Sequence, residues 1–330
     1  MILDDVAVGG AAGNGGIYIR SGSNLAPITS NFGFGGPVKL GVQSDNSLIV
    51  GVGSPADAFG KRDPNTLAPV AGSGGGGIGQ PFSTLAVLRN DNVYIGTANG
   101  ASQQTRNPML TGIIGGPAGV GSGVTASSGM RNSDEVLILY NSGGQGRIRR
   151  DAASPLFLVG VDESVAGSAT YGVDVATQSD DTIVLARSDR VVELRNRVTL
   201  SSDLGGFARS AGPFGSDIAG IGVLSDNSVV VAMVSGEIQV RSADLQSVLY
   251  GNGGFGDITA LAVQHDDDIV VGTGSGDLRL LSPSLVTKFT ESGLGPITDV
   301  AVFVPEPASL WLLCAAGAVL ARRRGNRPLQ

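Results

Sequence analysis

The stretch IGVLSDNSVVVA, Ile221 to Ala232, decides the fold. It is a short apolar strand, a Ser-Asp-Asn turn, and a second strand that is β-branched and apolar on both faces. The same unit recurs as KLGVQSDNSLIVG (39–51), LAVLRNDNVYIG (85–96), GMRNSDEVLIL (129–139), VATQSDDTIVLA (175–186) and LAVQHDDDIVVG (261–272). The last residues of these units fall at 51, 96, 139, 186, 232 and 272, so the period is 40–47 residues. Second strands without polar alternation suit strands packed between two neighbouring sheets.

A third strand follows each unit. YIRSGSNL, GKRDPNTL, QTRNPML, RRDAASPL, ELRNRVTL and QVRSADL carry Arg20, Arg62, Arg106, Arg150, Arg195 and Arg241, then a turn residue, then a Leu. In a seventh copy, RLLSPSL, Leu281 takes the arginine position, and LVTKFTE reads as a fourth strand. Four short strands every 40–47 residues is the spacing of a β-propeller blade, whereas a helical repeat would show a 3.6-residue pattern. The repeat resembles the broad families of bacterial propeller repeats with a Q-x-D-(G/N)-x-I-V-V turn, a likeness that implies fold rather than activity.

The two ends complete the count. VAVGGAAGNGGIYIRSGSNL (6–25) aligns with IVVGTGSGDLRLLSPSL (269–285), so the chain enters at the second strand of a blade. Ile297-Thr298-Asp299-Val300-Ala301-Val302 reads as a first strand with no second strand after it. Joined, they make one blade and close the ring. The expected fold is all-β, a seven-bladed propeller closed by N- and C-terminal strands and followed by a short C-terminal hydrophobic helix. A different blade number stays open if residues upstream supply their own first strand. The expected division is 1–303 for the propeller, 304–327 for a sorting and membrane segment, and 328–330 for the tail end.

Composition narrows the function classes. The chain has 52 Gly among 330 residues without a three-residue period, which excludes collagen and implies many turns. Setting aside four arginines and Glu306 of the last 27 residues leaves 18 basic against 28 acidic side chains, a net of −10. An acidic body argues against a nucleic-acid partner. Cys314 and His265 are single, so Cys/His metal centres and disulfides within the body are excluded, and no metal or cofactor is expected.

Each chemical candidate has a structural reading beside it. The turn carboxylates Asp45, Asp91, Asp134, Asp180, Asp226 and Asp266 suit Asx-type turns, and the calcium-loop spacing is missing. His265 beside Asp266-Asp267-Asp268 is the densest acidic spot; neighbours in a strand point to opposite faces, so no His–Asp catalytic pair is expected there. The arginine ladder is either a multivalent surface for acidic polysaccharide or a set of internal bonds to carboxylates and carbonyls. Gly74-Gly75-Gly76-Gly77 and Gly115-Gly116-Pro117 read as long connections between strands, since neither matches a phosphate loop.

The C-terminal stretch combines Pro305-Glu306-Pro307, an uncharged run from Ala308 to Ala321, and Arg322-Arg323-Arg324 with Arg327. The prolines end any preceding strand. The run contains Leu310, Trp311, Leu312, Leu313, Val319, Leu320 and Ala321; at helical rise its 14 residues span about 21 Å against about 30 Å of hydrocarbon. Snorkelling arginines lengthen the effective span and bias that end to the cytoplasm. The alternative is a C-terminal core helix with a basic end. This three-part order resembles the PEP-CTERM sorting signal. The resemblance implies an exosortase-type sorting enzyme as partner, passage through the inner membrane of a bacterium with an outer membrane, and delivery to the cell surface or matrix. Cys314 is then a small apolar residue. Met1-Ile2-Leu3-Asp4-Asp5 has no basic start, so the expectation is a signal peptide encoded upstream, by a mis-assigned start or a fragment.

The expected function is a non-enzymatic exported propeller that binds or scaffolds, with extracellular polysaccharide as a candidate partner. The alternative is a secreted hydrolase or lyase with carboxylates converging in the channel. A third reading is a structural filler.

Overall fold

Val, Ile and Leu dominate the second strand of each repeat, and their branched side chains fill the space between blades. In the computed structural model the described residues are 5–10, 15–53, 58–77, 80, 82–99, 103–115, 122–152, 162–165, 170–202 and 209–303. They form seven four-stranded antiparallel sheets. Blade 1 takes Ile297–Val302, Val6–Gly10, Gly16–Arg20 and Pro27–Phe32. Blade 2 is Val38–Val42, Leu48–Val52, Ala58–Arg62 and Gly75–Gly77; blade 3 is Phe82–Val87, Val93–Thr97, Gln104–Arg106 and Ile113–Gly115. Blade 4 is Ser122–Gly129, Glu135–Ser142, Gln145–Ala152 and Glu163–Ser164; blade 5 is Gly172–Thr177, Ile183–Arg187, Val192–Arg195 and Ser210–Ala211. Blade 6 is Ile218–Val223, Val229–Met233, Ile238–Arg241 and Val248–Asn252; blade 7 is Ile258–Val263, Ile269–Thr273, Leu278–Leu281 and Thr287–Glu291.

The ring closes as the termini suggest. Val6 pairs with Val302, Ala7 with Ala301, Val8 with Val300 and Gly9 with Asp299. The Phe303 amide donates to the Asp5 carbonyl at 2.9 Å, extending the ladder by one bond. Each first strand packs on the first strands of both neighbouring blades, so these seven strands line a central channel.

Second strands are buried along nearly their whole length in blades 1, 2, 3, 5, 6 and 7. The core is a series of layers between blades, such as Val184, Val192 and Leu194 against Ile221, Val229 and Val231. Each fully buried Val or Leu contributes on the order of 1.5–3 kcal/mol. At Gly51 the layer is so tight that a Cβ would lie 2.1 Å from Phe82 Cζ of blade 3.

One glycine-rich stretch behaves differently from expectation. Gly75–Gly77 is the outer strand of blade 2, not a connection; Gly115 ends the outer strand Ile113–Gly115 of blade 3, and the rest of that stretch, 116 and 117, lies outside the described residues. The reason is close backbone approach: a Cβ on Gly74 would meet the Leu110 carbonyl oxygen at 2.3 Å, and the Gly74 amide donates to Met109 O at 2.7 Å. Outer strands need only backbone bonds, so glycine serves there. Among the described residues no helix is long and apolar enough to cross a membrane. The expected C-terminal helix, with Pro305 to Pro307, Ala308 to Ala321 and Arg322 to Arg324, lies outside the described residues.

Candidate functional site at the channel mouth

The first-to-second strand turn follows one pattern in blades 2, 3, 5, 6 and 7. The amide of its first residue donates to the carbonyl of its fifth, as in Gln43 to Ser47 (3.0 Å) and Leu224 to Ser228 (2.9 Å). The third side chain accepts from the fifth amide: Asp45 from Ser47, Asn90 from Asn92, Asp180 from Thr182, Asp226 from Ser228 and Asp266 from Asp268. The amide of Thr182 holds the Asp180 carboxyl below its ordinary range. The fourth residue is left-handed, with φ of 61° at Asn46, 62° at Asp91, 64° at Asp181, 68° at Asn227 and 70° at Asp267. Asn and Asp tolerate that region better than other side chains.

This fourth residue also ties blades together. Asp91 accepts from the Ser44 amide at 2.7 Å and Asp267 from the Ser225 amide at 2.7 Å. Asn227 accepts from Ser179 N at 2.7 Å, and Asp181 from Arg131 N and Asn132 N at 3.0 and 3.1 Å. Asp91 thus belongs to the staple, and Asn90 fills the turn role expected of Asp91. Asp134 sits on the exposed tip of a turn one residue longer, in which Met130 N bonds Glu135 O.

The arginine ladder slips by one residue in blade 4. Arg20 pairs with Val6, Arg62 with Leu48, Arg106 with Val93, Arg195 with Ile183 and Arg241 with Val229, all the first residue of a second strand's apolar run. In blade 4 the equivalent Val136 faces Asp151, and Arg150 is one residue off, facing Leu137. Asp151 is fully buried and held by Arg149 at 2.6 Å; burial nonetheless pushes its carboxyl up.

Five of the arginines reach the preceding blade or the loop leaving it. Arg20 meets Glu291 at 2.5 Å, and Arg62, Arg106 and Arg241 lie 5.5, 5.0 and 5.8 Å from the ring centres of Phe34, Phe59 and Phe214. Arg195 bonds Glu193 at 2.6 Å and the carbonyls of Ser164, Val165 and Leu200. Arg150 reaches the Arg197 carbonyl of the next blade. The six are thus spread between blades rather than gathered at one place. Among the described residues the Leu that ends the motif is a buried anchor: Leu25, Leu67, Leu110, Leu200, Leu245 and Leu285 are at most 3% exposed with φ of 55–65°. Burial offsets a left-handed penalty of about 1–2 kcal/mol.

The described residues do gather polar groups at the channel mouth. A cavity of about 680 Å³ opens there. Its floor includes Val42, Val87, Val223, Val263 and Phe303; its rim carries Ser44, Arg89, Arg131, Ser225 and His265. These five rim residues share the second position of the turn and are exposed. Arg89 donates to the Asn132 carbonyl at 3.1 Å. Sequence reading passed over Arg89 and Arg131; the available signal was two arginines at a turn position otherwise held by serine or histidine. The acidic trio beside His265 disperses: Asp266 closes its turn, Asp267 accepts from Ser225, and Asp268 pairs with Lys288 at 2.5 Å. Among the described residues no three His, Cys, Asp or Glu side chains gather to hold a metal.

Within the channel, Lys39, Thr84, Ala126, Asp174, Gly220, Ala260 and Asp299 occupy the same position, four residues before the turn. The inner edge strands have amides without sheet partners, and two carboxylates cap them. Asp174 accepts from Ile221 N at 2.9 Å and Asp299 from Leu40 N at 2.8 Å. Burial pushes the Asp174 carboxyl up to about 6 against its backbone bonds and Lys39, and the charge of Asp299 adds to the rise. Asp299 is raised too, by burial, with Lys39 opposing.

Comparisons with known proteins agree with this geometry. Residues 303–325 match the PEP-CTERM protein-sorting motif. No curated protein matches the chain. Among solved structures, a protein of unknown function from Desulfotomaculum acetoxidans DSM 771 is similar with a TM-score of 0.73 at 14% identity, covering 92% of this chain and 100% of that one. The computationally designed Ika8 protein is similar with a TM-score of 0.60 at 17% identity, covering 91% of each chain. These likenesses show the fold alone. The chain is a seven-bladed β-propeller bearing a PEP-CTERM sorting motif, which implies export, transit through a membrane-anchored form and processing by an exosortase-type enzyme.

Proposed function

We propose that the delivered propeller is a non-enzymatic binding module for anionic polysaccharide, and that the channel mouth is its binding site. The supporting observation is a concave cavity of about 680 Å³ with an apolar floor and two exposed arginines on its rim, Arg89 and Arg131 of blades 3 and 4, in an otherwise acidic body. A few convergent polar groups over an apolar floor is the usual build of a ligand site, and guanidinium pairs with carboxylate or sulfate. Binding of polygalacturonate and of a neutral glucan, measured by affinity electrophoresis, tests it. Retardation by the polyuronate, lost in an Arg89→Ala/Arg131→Ala variant, is the expected result. Indifference to both polymers, or retardation unchanged in the variant, overturns it.

A second reading has its own observation. Asp174, with its carboxyl pushed up to about 6, shares a channel layer with Asp299 and Lys39, an arrangement compatible with a hydrolase or lyase. Turnover of a polysaccharide that vanishes in Asp174→Asn would favour this reading over the first.

A further inference from the structure

The sorting motif begins where the channel mouth ends. Val302 and Phe303 line the mouth cavity, and the motif match starts at Phe303. The uncharged run starts at Ala308, five residues on. Five residues of fully extended chain reach no more than about 18 Å. The headgroup layer occupies about 5–8 Å of that distance. The remaining gap of about 10 Å is the width of one helix.

The point of attachment matters as much as the reach. Phe303 directly follows the innermost strand of blade 1, so the tether leaves from near the centre of the face and not from its edge. Tilting the ring about a central pivot drives one side of the face into the headgroups. We propose that this face lies against the lipid surface for as long as the tail is in the membrane, covering the channel mouth, and that release of the tail uncovers it. The partner is the bilayer surface itself. Contact is imposed by the short tether and not by affinity. This inference rests on the sorting motif and the ring geometry, and stands whether or not the mouth binds polysaccharide.

Labelling of the full chain in phosphatidylethanolamine/phosphatidylglycerol vesicles tests it. In a Cys314→Ser background, Ser225→Cys or Arg131→Cys places a thiol at the mouth, and Ser235→Cys places one on the opposite face, in the exposed second-to-third strand turn. A bulky polyethylene-glycol maleimide is expected to react several-fold more slowly at either mouth position than at Ser235→Cys. Inserting about 20 Gly/Ser residues after Phe303, with a reach of roughly 25 Å, is expected to equalise the rates. Equal rates at mouth and opposite face without the insertion overturn the proposal, as does slow mouth labelling that the insertion fails to relieve.

Discussion

Val8 and Val300 are register partners on adjacent strands although 292 positions separate them in the chain. Their pairing joins the second strand of blade 1 to its first, and with it the beginning of the described chain to its end. The opened ring would expose Val6, Ala7 and Val8, all completely buried, along a free edge. Polar disruption of the closing strand, as in Val300→Asp, is therefore expected to cost more than about 3 kcal/mol and to promote aggregation. Urea unfolding with light scattering checks this.

Interblade packing sets the tolerance at Gly51. Gly51→Ala is expected to destabilise by about 1–3 kcal/mol through overpacking against Phe82. Combining it with Phe82→Leu is expected to recover part of the loss, giving a coupling energy above about 0.5 kcal/mol in a double-mutant cycle.

Arg195 and Arg89 are expected to separate structural from surface cations. Arg195→Ala removes one of the two guanidinium partners of buried Glu193, which keeps Arg187 at 2.9 Å, and takes a donor from three carbonyls, a change expected to cost about 1–3 kcal/mol. Arg89→Ala is expected to stay within about 0.5 kcal/mol of the parent. Thermal unfolding of both variants side by side is the check.

Asp174 gives stability a pH dependence of definite sign. Its folded-state carboxyl titrates near 6 rather than 3.8, so the folded protein holds the proton more tightly than the unfolded chain. The contribution is present below about pH 4 and is lost as pH rises to about 6. Asp174→Asn keeps an acceptor for Ile221 N and is expected to flatten that window and to raise stability at about pH 7 by up to about 3 kcal/mol. Denaturant midpoints across about pH 4 to 7, parent against variant, check it.

The inner half of each blade was legible because burial on both faces forces runs such as Val229-Val230-Val231, and the tight turn forces Asp or Asn. The outer strands were not. Gly75–Gly77, Glu163–Ser164 and Ser210–Ala211 are held by backbone bonds, which leave no pattern in side chains. The blade-to-blade staples also escape a linear reading, since Asp91 and Ser44 lie 47 residues apart. Arg150 looked equivalent to Arg195 because a one-residue slip in the pairing of Glu135–Ser142 with Gln145–Ala152 changes register without changing composition. The mouth was missed for a related reason: its rim takes one residue from each of several turns, and only the ring brings Arg89 and Arg131 to one cavity.

Cross-linking across the seam tests ring closure, on which the position of the mouth and its tether depends. Antiparallel partners have Cα atoms about 4.5–5.5 Å apart, inside the range of about 4.4–6.8 Å that a disulfide spans. In the Cys314→Ser background, Val8→Cys/Val300→Cys is expected to oxidise to a monomer with one internal disulfide, seen as a faster-migrating band and a mass loss of two hydrogens. Dimers joined between chains, or two thiols that remain free under oxidant in the folded protein, would contradict the closed ring.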